Sequence, residues 1–148
     1  MVAGGWDPLH VGHLRHIKMA ALLADKLVVV THNDEMMKRK KGYVFQPCAE
    51  RVELLKELRF VDDVVVAEDY GDDDGTVTKT LEALRPDVYA KGGDRTPDNT
   101  PASQVEVCRR LGIEYVFGLG DKVQSSERLV GHAAVEMLRG WYIPRMKP

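Results

Sequence analysis

Short apolar runs alternate along the chain with longer segments in which apolar residues recur every three or four positions. Residues 26–31 form a β-branched run that is too short for a helix, whereas residues 11–25 place leucines, an isoleucine and alanines at helical spacing. The same alternation continues to the end of the chain. It predicts strands at residues 1–3, 26–31, 60–66, 86–90 and 113–118, and helices at 11–25, 48–58, 76–84, 102–111 and from 125 onward.

This order of strands and helices predicts the fold class. Strands that are joined through helices run parallel, and the helices cover the faces of the sheet. We therefore predict an α/β protein, with a Rossmann-like open parallel five-stranded sheet and helices on both faces. We expect one domain over residues 1–148, in which residues 130–148 form a C-terminal helix and tail. Ligands of such sheets bind at the carboxyl ends of the strands.

Composition narrows the class of protein further. The chain is 44% hydrophobic and 30% charged, and its formal net charge of −2 provides no field that would attract nucleic acid or an anionic membrane. No apolar run approaches the roughly 20 residues that a membrane span needs, and the N-terminus lacks a signal-peptide pattern. Cys48 and Cys108 are expected to be reduced thiols. We expect a cytoplasmic protein with no nucleic-acid or membrane partner.

Residues 4–17, GGWDPLHVGHLRHI, concentrate the candidate chemistry. Gly4 and Gly5 have no Cβ, so their backbone can turn tightly and come close to a ligand. A helix that begins near His10 offers unpaired N–H groups and the positive end of its dipole. His10 and His13 are three positions apart and lie on one face of that helix. The stretch predicts an anion site with two imidazole donors, suited to a polyphosphate.

The same stretch resembles the signature of the nucleotidylyltransferase superfamily, in the branch of cytidylyltransferases and sugar-phosphate adenylyltransferases. Glycine-glycine-aromatic-Asp-Pro-Leu precedes His-x-Gly-His, and the resemblance extends from Gly4 to Ser126. It implies transfer of a nucleoside monophosphate from CTP or ATP to the phosphate of a small acceptor, with release of pyrophosphate and with Mg²⁺ as cofactor. It also implies that His10 and His13 are catalytic and that Gly4, Gly5, Trp6 and Gly12 belong to the nucleotide site.

A run of cations, Lys38 to Lys41, follows the second predicted strand. Such a run is often a solvated loop, but here it lies at the carboxyl edge of the sheet. Relatives carry a lysine-rich loop at this point, and its lysine contacts the triphosphate. The resemblance therefore implies that Lys41 or Lys38 has this catalytic role, and the sequence does not choose between them. Arg39 and Lys40 are expected to be solvated neighbours.

Two later segments complete the implied nucleotide site. Lys91-Gly92-Gly93-Asp94 follows the fourth predicted strand and is similar to a motif of heptose-phosphate adenylyltransferases, which implies that Gly92 and Asp94 bind nucleotide. Ser125 and Ser126 begin the last helix, where relatives bind phosphate through hydroxyls and the helix N-terminus. Glu127 departs from the family pattern. Gly120 stands where glycerol-phosphate cytidylyltransferases carry an arginine, and Lys122 is a candidate substitute for it.

The acceptor is specified less closely than the nucleotide. Arg51 and Arg59 flank a segment that resembles the same family and are candidates for the acceptor site, although either is also typical of an exposed helical cation. Asp7 is expected to contact the acceptor or to orient a histidine. The acceptor is expected to be a sugar phosphate or an alcohol phosphate, and the choice between CTP and ATP stays open. Trp141 and Tyr142 in the tail are candidates for a homodimer contact.

Three other classes of protein fit the chain less well. A histidine pair on one helical face can bind zinc, but no Cys or Glu lies near enough in sequence to complete the ligands. A Rossmann oxidoreductase needs Gly-x-Gly-x-x-Gly after its first strand, which is missing here. A non-catalytic nucleotide-binding regulatory protein on the same fold is the principal alternative. It would bind nucleotide without releasing pyrophosphate.

Overall fold

The computed structural model describes residues 1–68, 76–93, 95–121 and 123–139, in which one open sheet carries helices on both faces. Its strands are β1 (Val2–Gly4), β2 (Val28–His32), β3 (Asp63–Ala67), β4 (Val88–Gly92) and β5 (Glu114–Leu119). All neighbouring strands are parallel and follow the order β3-β2-β1-β4-β5. The predicted fold class is confirmed.

The helices alternate with these strands. They are α1 (Val11–Ala20), α2 (Asp34–Lys41), α3 (Cys48–Lys56), α4 (Thr78–Leu84), α5 (Ala102–Leu111) and α6 (Ser126–Leu138), with a 3₁₀ turn at Pro97–Asn99. The chain adds β2 and then β3 on one side of β1. It then adds β4 and β5 on the other side of β1. Because such crossovers are right-handed, α1 and α3 lie on one face of the sheet and α4 and α5 lie on the other.

Each face of the sheet has its own apolar core, because successive residues of a strand point to opposite sides. On the side of α1 and α3 the buried residues include Val2, Ile17, Val29 and Leu55. On the side of α4 and α5 they include Val30, Leu81, Tyr89 and Cys108. The burial of Cys108 in this second core agrees with its expected state as a free thiol, and Cys48 is also unpaired.

The short strand β1 lies at the centre of the sheet. It pairs with β2 from Val2 to Gly4, and Val2 pairs with Ala90 of β4. The carbonyl oxygen of Met1 accepts a hydrogen bond of 2.9 Å from the N–H of Ala90. Three residues are enough for this strand because the next residues turn away to form the site.

The segment of cations after β2 is a helix, and its prediction as a loop was wrong. Asn33 caps α2 by accepting a hydrogen bond from the N–H of Met36, and Gly42 ends it with φ of 82°. Two acidic residues lie in the first turn and four cations in the last, an order that complements the helix dipole. Met36 and Met37, both buried, fix this helix to the domain.

Other boundaries differ from the prediction by a few residues. The helix α1 ends at Ala20 rather than at residue 25, and β4 continues to Gly92 rather than ending at residue 90. The bounds of α5 are as predicted, and Gly112 ends this helix in a left-handed conformation with φ of 69°. The acidic segment 69–75 and the tail 140–148 lie outside the described residues. Within the described part of the chain, no helix has the length and apolarity needed to cross a membrane.

Candidate active site

A cavity of about 720 Å³ opens at the carboxyl ends of β1 and β4, where the order of the strands reverses. The loops after these two strands lead to opposite faces, and the crevice between them is the usual ligand site of an open α/β sheet. The ends of β2 and β5, the N-termini of α1 and α6, the C-terminus of α2 and residues 95–101 complete the wall. A volume of this size suits a small molecule.

The turn after β1 is held by Trp6, whose backbone is left-handed with φ of 54°. Its indole N–H donates to the carbonyl oxygen of Val30 at 2.9 Å. A Cβ on Gly4 would lie 3.1 Å from the Trp6 ring, and one on Gly5 would lie 2.6 Å from the sulfur of Met37. Neither glycine has a positive φ. The two glycines line the cavity as predicted, but they are needed to make room for side chains.

His10 and His13 lie together at the start of α1, as their spacing predicted. Their rings stack with centroids 3.6 Å apart, and Nδ1 of His10 accepts a hydrogen bond of 3.3 Å from the N–H of His13. Since Nδ1 of a neutral His10 is an acceptor, its Nε2 carries the proton and can donate to a ligand. A Cβ on Gly12 would lie 3.0 Å from the His10 ring, so glycine at this position lets the ring fold over the helix end.

Burial keeps these imidazoles neutral. It lowers the pKa of His13 to about 3, with smaller contributions from the charges of His10, Lys41 and His16. The pKa of His10 is also lowered, first by burial and then by Lys41. Neutral histidines act as N–H donors to phosphate without repelling the neighbouring lysine.

A third histidine, outside the motif, lines the same cavity. Nδ1 of His16 lies 3.1 Å from the carbonyl oxygen of Leu119, so this nitrogen carries the proton and Nε2 is left as an acceptor. A Cβ on Gly92 would lie 2.7 Å from Nδ1 of His16, and glycine is therefore needed where β4 passes the ring. The spacing of three residues from His13 was the available signal in the sequence.

Of the two lysines that the sequence left open, Lys41 lines the cavity and Lys38 does not. Nζ of Lys41 donates to the carbonyl oxygen of Asp7 at 3.3 Å, which places its charge beside the histidine pair. Lys40 also lines the cavity, contrary to its expected place among solvated neighbours. Burial, followed by the charges of Arg95 and Lys41, lowers the pKa of Lys40.

Asp7 is fully buried and does not line the cavity. Its carboxylate accepts hydrogen bonds from the backbone N–H groups of Phe45 at 2.8 Å and Gln46 at 2.7 Å. It therefore holds the segment after α2 against the turn after β1. The structure gives Asp7 this positioning role in place of the predicted contact with the acceptor or with a histidine.

Neither Arg51 nor Arg59 reaches the cavity, so the structure does not support their assignment to the acceptor site. Arg59 is exposed and lies 5.1 Å above the ring of Phe60. The side chain of Arg51 is 0% exposed because it packs at the centre of the loops. Its guanidinium donates to the carbonyl oxygens of Gly5, His32 and Gln46, to the hydroxyl of Thr31 and to the carboxylate of Asp34.

Ser125 and Ser126 line the cavity at the start of α6, as predicted. Oγ of Ser125 accepts from the N–H of Arg128 at 3.2 Å, which leaves its own hydroxyl proton free for a ligand. Oγ of Ser126 donates to the carbonyl oxygen of Pro8 at 3.0 Å and so joins α6 to the turn before α1. The helix contributes its unpaired first N–H groups to the same space.

The opposite wall contains residues to which the sequence assigned no role. They are His32, Lys91, Arg95 and Gln104. The cavity is also lined by Asp98, Asn99, Thr100 and Pro101. Asp94 and Lys122, which were predicted to contribute, lie outside the described residues. The signal for His32 and Lys91 was their position at the carboxyl ends of strands.

No group of three His, Cys, Asp or Glu side chains that could hold a metal ion is found among residues 1–68, 76–93, 95–121 and 123–139. Among the described residues, the carboxylates of Asp98, Asp121 and Glu127 line the cavity. Mg²⁺ typically keeps most of its waters and binds through one or two carboxylates together with substrate phosphates. This donor set fits a magnesium ion that is bound mainly by a nucleotide.

Fold and cavity together define an α/β protein with a cavity at the switch point of a parallel sheet, where paired neutral imidazoles lie at a helix N-terminus. Comparison with known proteins agrees with this class. The family model described as cytidylyltransferase-like matches residues 1–133. The chain belongs to the cytidylyltransferase-like family of nucleotidyltransferases, and the resemblance found in the sequence is confirmed.

The chain is similar to several proteins of known name and to a solved structure. The chain is 40% identical over 126 residues to FAD synthase of Pyrococcus abyssi (strain GE5 / Orsay), covering 84% of this chain and 75% of that protein. It is 37% identical over 124 residues to the bifunctional protein HldE of Geotalea uraniireducens (strain Rf4), covering 82% of this chain but 22% of that protein. A crystal structure of the lipopolysaccharide core biosynthesis protein from Thermoplasma volcanium GSS1 is similar, with a TM-score of 0.67 and 25% identity, covering 84% and 96% of the two chains.

Proposed function

We propose that this protein transfers a nucleoside monophosphate from ATP or CTP to the phosphate of a sugar phosphate or alcohol phosphate, releasing pyrophosphate. The observation that carries the proposal is the stacked pair of neutral histidines at the N-terminus of α1. They share one cavity with Lys41, Ser125 and the N-terminus of α6. Such an arrangement supplies donors for a polyphosphate at several points.

The chemistry proposed for this site needs no covalent enzyme intermediate. An oxygen of the acceptor phosphate attacks the α-phosphorus of the nucleotide, a new P–O bond forms, and the bond to the bridging α–β oxygen breaks. The electron pair leaves with pyrophosphate. The protein has to align the two phosphates and stabilise the charge that develops in the transition state.

Each residue of the site has a defined part in this proposal. Nε2 of His10, whose proton is fixed by the hydrogen bond at Nδ1, donates to a phosphate oxygen, and His13 lies against it for the same purpose. Lys41 offsets the charge of the triphosphate. The free hydroxyl proton of Ser125 and the first N–H groups of α6 hold the leaving pyrophosphate. Ser126, already bonded to Pro8, fixes the distance between the two helix ends.

Magnesium is part of this proposal as the partner of the nucleotide. Asp121 and Glu127, beside the N-terminus of α6, are the carboxylates placed to contribute to its coordination. When bound, the ion would neutralise phosphate charge and leave the protein donors to position the groups.

ATP is the preferred donor, and the reason comes from the relatives. FAD consists of AMP joined to riboflavin phosphate, and FAD synthases are among the most similar proteins found. Riboflavin phosphate is itself the phosphate ester of a polyol chain, so it belongs to the proposed acceptor class. Lys91-Gly92-Gly93-Asp94 favours a sugar 1-phosphate instead. Adenylyl transfer to riboflavin phosphate is therefore the second candidate function.

The test is a matrix of pyrophosphate-release assays with Mg²⁺ in which ATP or CTP is combined with riboflavin phosphate, heptose 1-phosphate or glycerol 3-phosphate. We expect release with ATP and with one acceptor only. The His10→Ala variant and reactions without acceptor provide the background. Tight nucleotide binding without release for any acceptor would instead favour a non-catalytic nucleotide-binding protein. Homodimer formation stays a prediction, since Trp141 and Tyr142 lie outside the described residues.

A further inference from the structure

The cavity extends to both faces of the sheet. Gly92 of β4 faces His16 of α1, whereas the neighbouring Lys91 points to the other side, with its ammonium 5.1 Å from the centre of the Tyr89 ring. We call the α1 side the histidine half; it comprises His10, His13, His16, Lys41 and Ser125. We call the α5 side the lysine half; it comprises His32, Lys40, Lys91, Arg95 and Gln104.

The lysine half gathers positive charge that no described salt bridge neutralises, although the carboxylate of Glu127 offsets part of the lowering of the Lys40 pKa. Among the described residues, Lys40, Lys91 and Arg95 take part in no ion pair, although Asp98 lines the same wall. Burial, followed by the charges of Lys40 and Arg95, lowers the pKa of Lys91 to about 7. These cations repel one another, and a bound anion would relieve that repulsion.

A buried polar atom without a partner lies in the same wall. His32, at the end of β2, is 4% exposed, and its Nδ1 has no hydrogen-bond partner among the described residues. Burial, followed by the charges of Lys40 and Lys91, lowers the pKa of His32 to about 3, so the ring is neutral. Buried polar atoms without a partner are uncommon in native structures, and each needs an explanation, such as a bound ligand or water; Nδ1 of His13 in the histidine half is a second such atom.

The proposed reaction itself requires a second anion site. In an in-line displacement the attacking and leaving oxygens lie on opposite sides of the phosphorus. The histidine half and the N-terminus of α6 hold the triphosphate, so the attacking phosphate has to arrive from the other side. The lysine half occupies that side. A nucleoside base is uncharged, so if it bound there instead, the cations would remain without a counter-charge.

We propose that Lys91, Lys40 and His32 bind the phosphate group of the acceptor, on the face of the sheet opposite the histidine pair. This inference rests on the proposed function. A phosphate monoester presents three oxygens, which allows it to accept from both ammonium groups and from a neutral imidazole N–H together. The acceptor is thus recognised by a charged phosphate pocket on the α5 face.

Inorganic phosphate is the probe for this site. The full chain is first saturated with Mg²⁺ and α,β-methylene ATP, which fills the histidine half, and phosphate is then titrated while the melting temperature is followed. A ligand that binds only the folded protein raises this temperature. We expect a phosphate-dependent rise in the wild type that is lost in Lys91→Met and His32→Asn. Lys91→Arg is expected to retain it, and so is Arg39→Met, which removes a cation of α2 outside the cavity.

A kinetic measurement separates the two substrates. Hydrogen bonds to charged groups contribute enough that Lys91→Met should raise the acceptor KM about 10- to 100-fold. The KM for nucleotide should stay within about twofold. An undiminished phosphate response in both Lys91→Met and His32→Asn would overturn the inference. Parallel loss of the nucleotide response would also overturn it, because the cations would then serve the triphosphate.

The same measurements give different results if the proposed reaction is wrong. If no nucleotide shifts the melting temperature and no pyrophosphate is released, the proposed reaction is wrong. Phosphate titration of the protein without nucleotide still tests the anion site in that case. A response that Lys91→Met abolishes would support the phosphate site alone, and a response unchanged by this variant would overturn it.

Discussion

The two halves of the cavity are built in different ways. The histidine half comes mainly from one continuous segment at the start of α1, and burial keeps its rings neutral and stacked. The lysine half collects single residues from β2, α2, β4, the loop after β4 and α5, and its cations form no ion pair with another described residue. The first half offers directed N–H donors to a polyphosphate, whereas the second offers a charged pocket to a compact anion. The difference suggests that donor and acceptor are recognised by separate physical means.

Arg51 connects the two halves, and its removal should have the largest effect. Its guanidinium joins Gly5 in the turn beside the histidine half to the carbonyl oxygen of His32 in the lysine half. Arg51→Met would leave several buried acceptors without a donor and should lower the free energy of unfolding by about 3–5 kcal/mol. Urea denaturation measures this, with exposed Arg59→Met as the matched control. A loss below about 1 kcal/mol would contradict the role given to Arg51.

The next effect should be confined to the histidine half. Loss of one transition-state donor costs about 10²–10³ in rate, so His10→Ala and His13→Ala should each lower kcat by that factor. The rise in melting temperature that inorganic phosphate causes in the absence of nucleotide should be unchanged in both variants. Steady-state pyrophosphate release is the measurement, and His132→Ala, on the exposed side of α6, is the control. Near-normal turnover in both variants would be incompatible with the mechanism.

A pH titration of stability distinguishes His32 of the lysine half. Its pKa is about 3 in the folded protein against an ordinary value of 6.5, so the unfolded chain binds a proton that the folded chain does not. Stability should therefore fall as the pH drops below about 6.5, by about 2 kcal/mol at pH 5 from this residue. Between pH 7 and pH 5, the free energy of unfolding measured by denaturation should decrease less for His32→Asn than for His132→Asn. Equal decreases would mean that His32 does not titrate in this way.

The last predicted effect has the opposite sign. Lys91 has a pKa of about 7 in place of 10.5, so protonation at pH 7 is less favourable in the folded protein than in the unfolded chain. Lys91→Met should therefore stabilise the protein at pH 7 while weakening acceptor binding. The gain should shrink as the pH rises toward 10.5, where the lysine loses its charge in both states. A variant that is less stable than the wild type at pH 7 without phosphate would show that Lys91 is not a strained cation.

Local pattern predicted much of the fold. The β-branched runs marked the strands, and α5 with its glycine cap has the predicted bounds because periodicity and cap agree there. The prediction failed at α2, where the run of four cations was interpreted as a lysine-rich loop. Burial of Met36 and Met37 fixes that helix, and burial depends on the rest of the domain.

For the site, the sequence by itself determined the histidine pair and the serines at the start of α6, because these groups act through spacing within one segment or at one helix end. The class of chemistry followed from the resemblance to the nucleotidylyltransferase superfamily. Tertiary structure alone decided that Lys41 rather than Lys38 faces the cavity, that Asp7 and Arg51 position loops, and that His32, Lys40 and Lys91 meet. Those contacts join residues far apart in the chain. Their geometry is set by which strands become neighbours and by which face each side chain takes, and no local pattern contains that information.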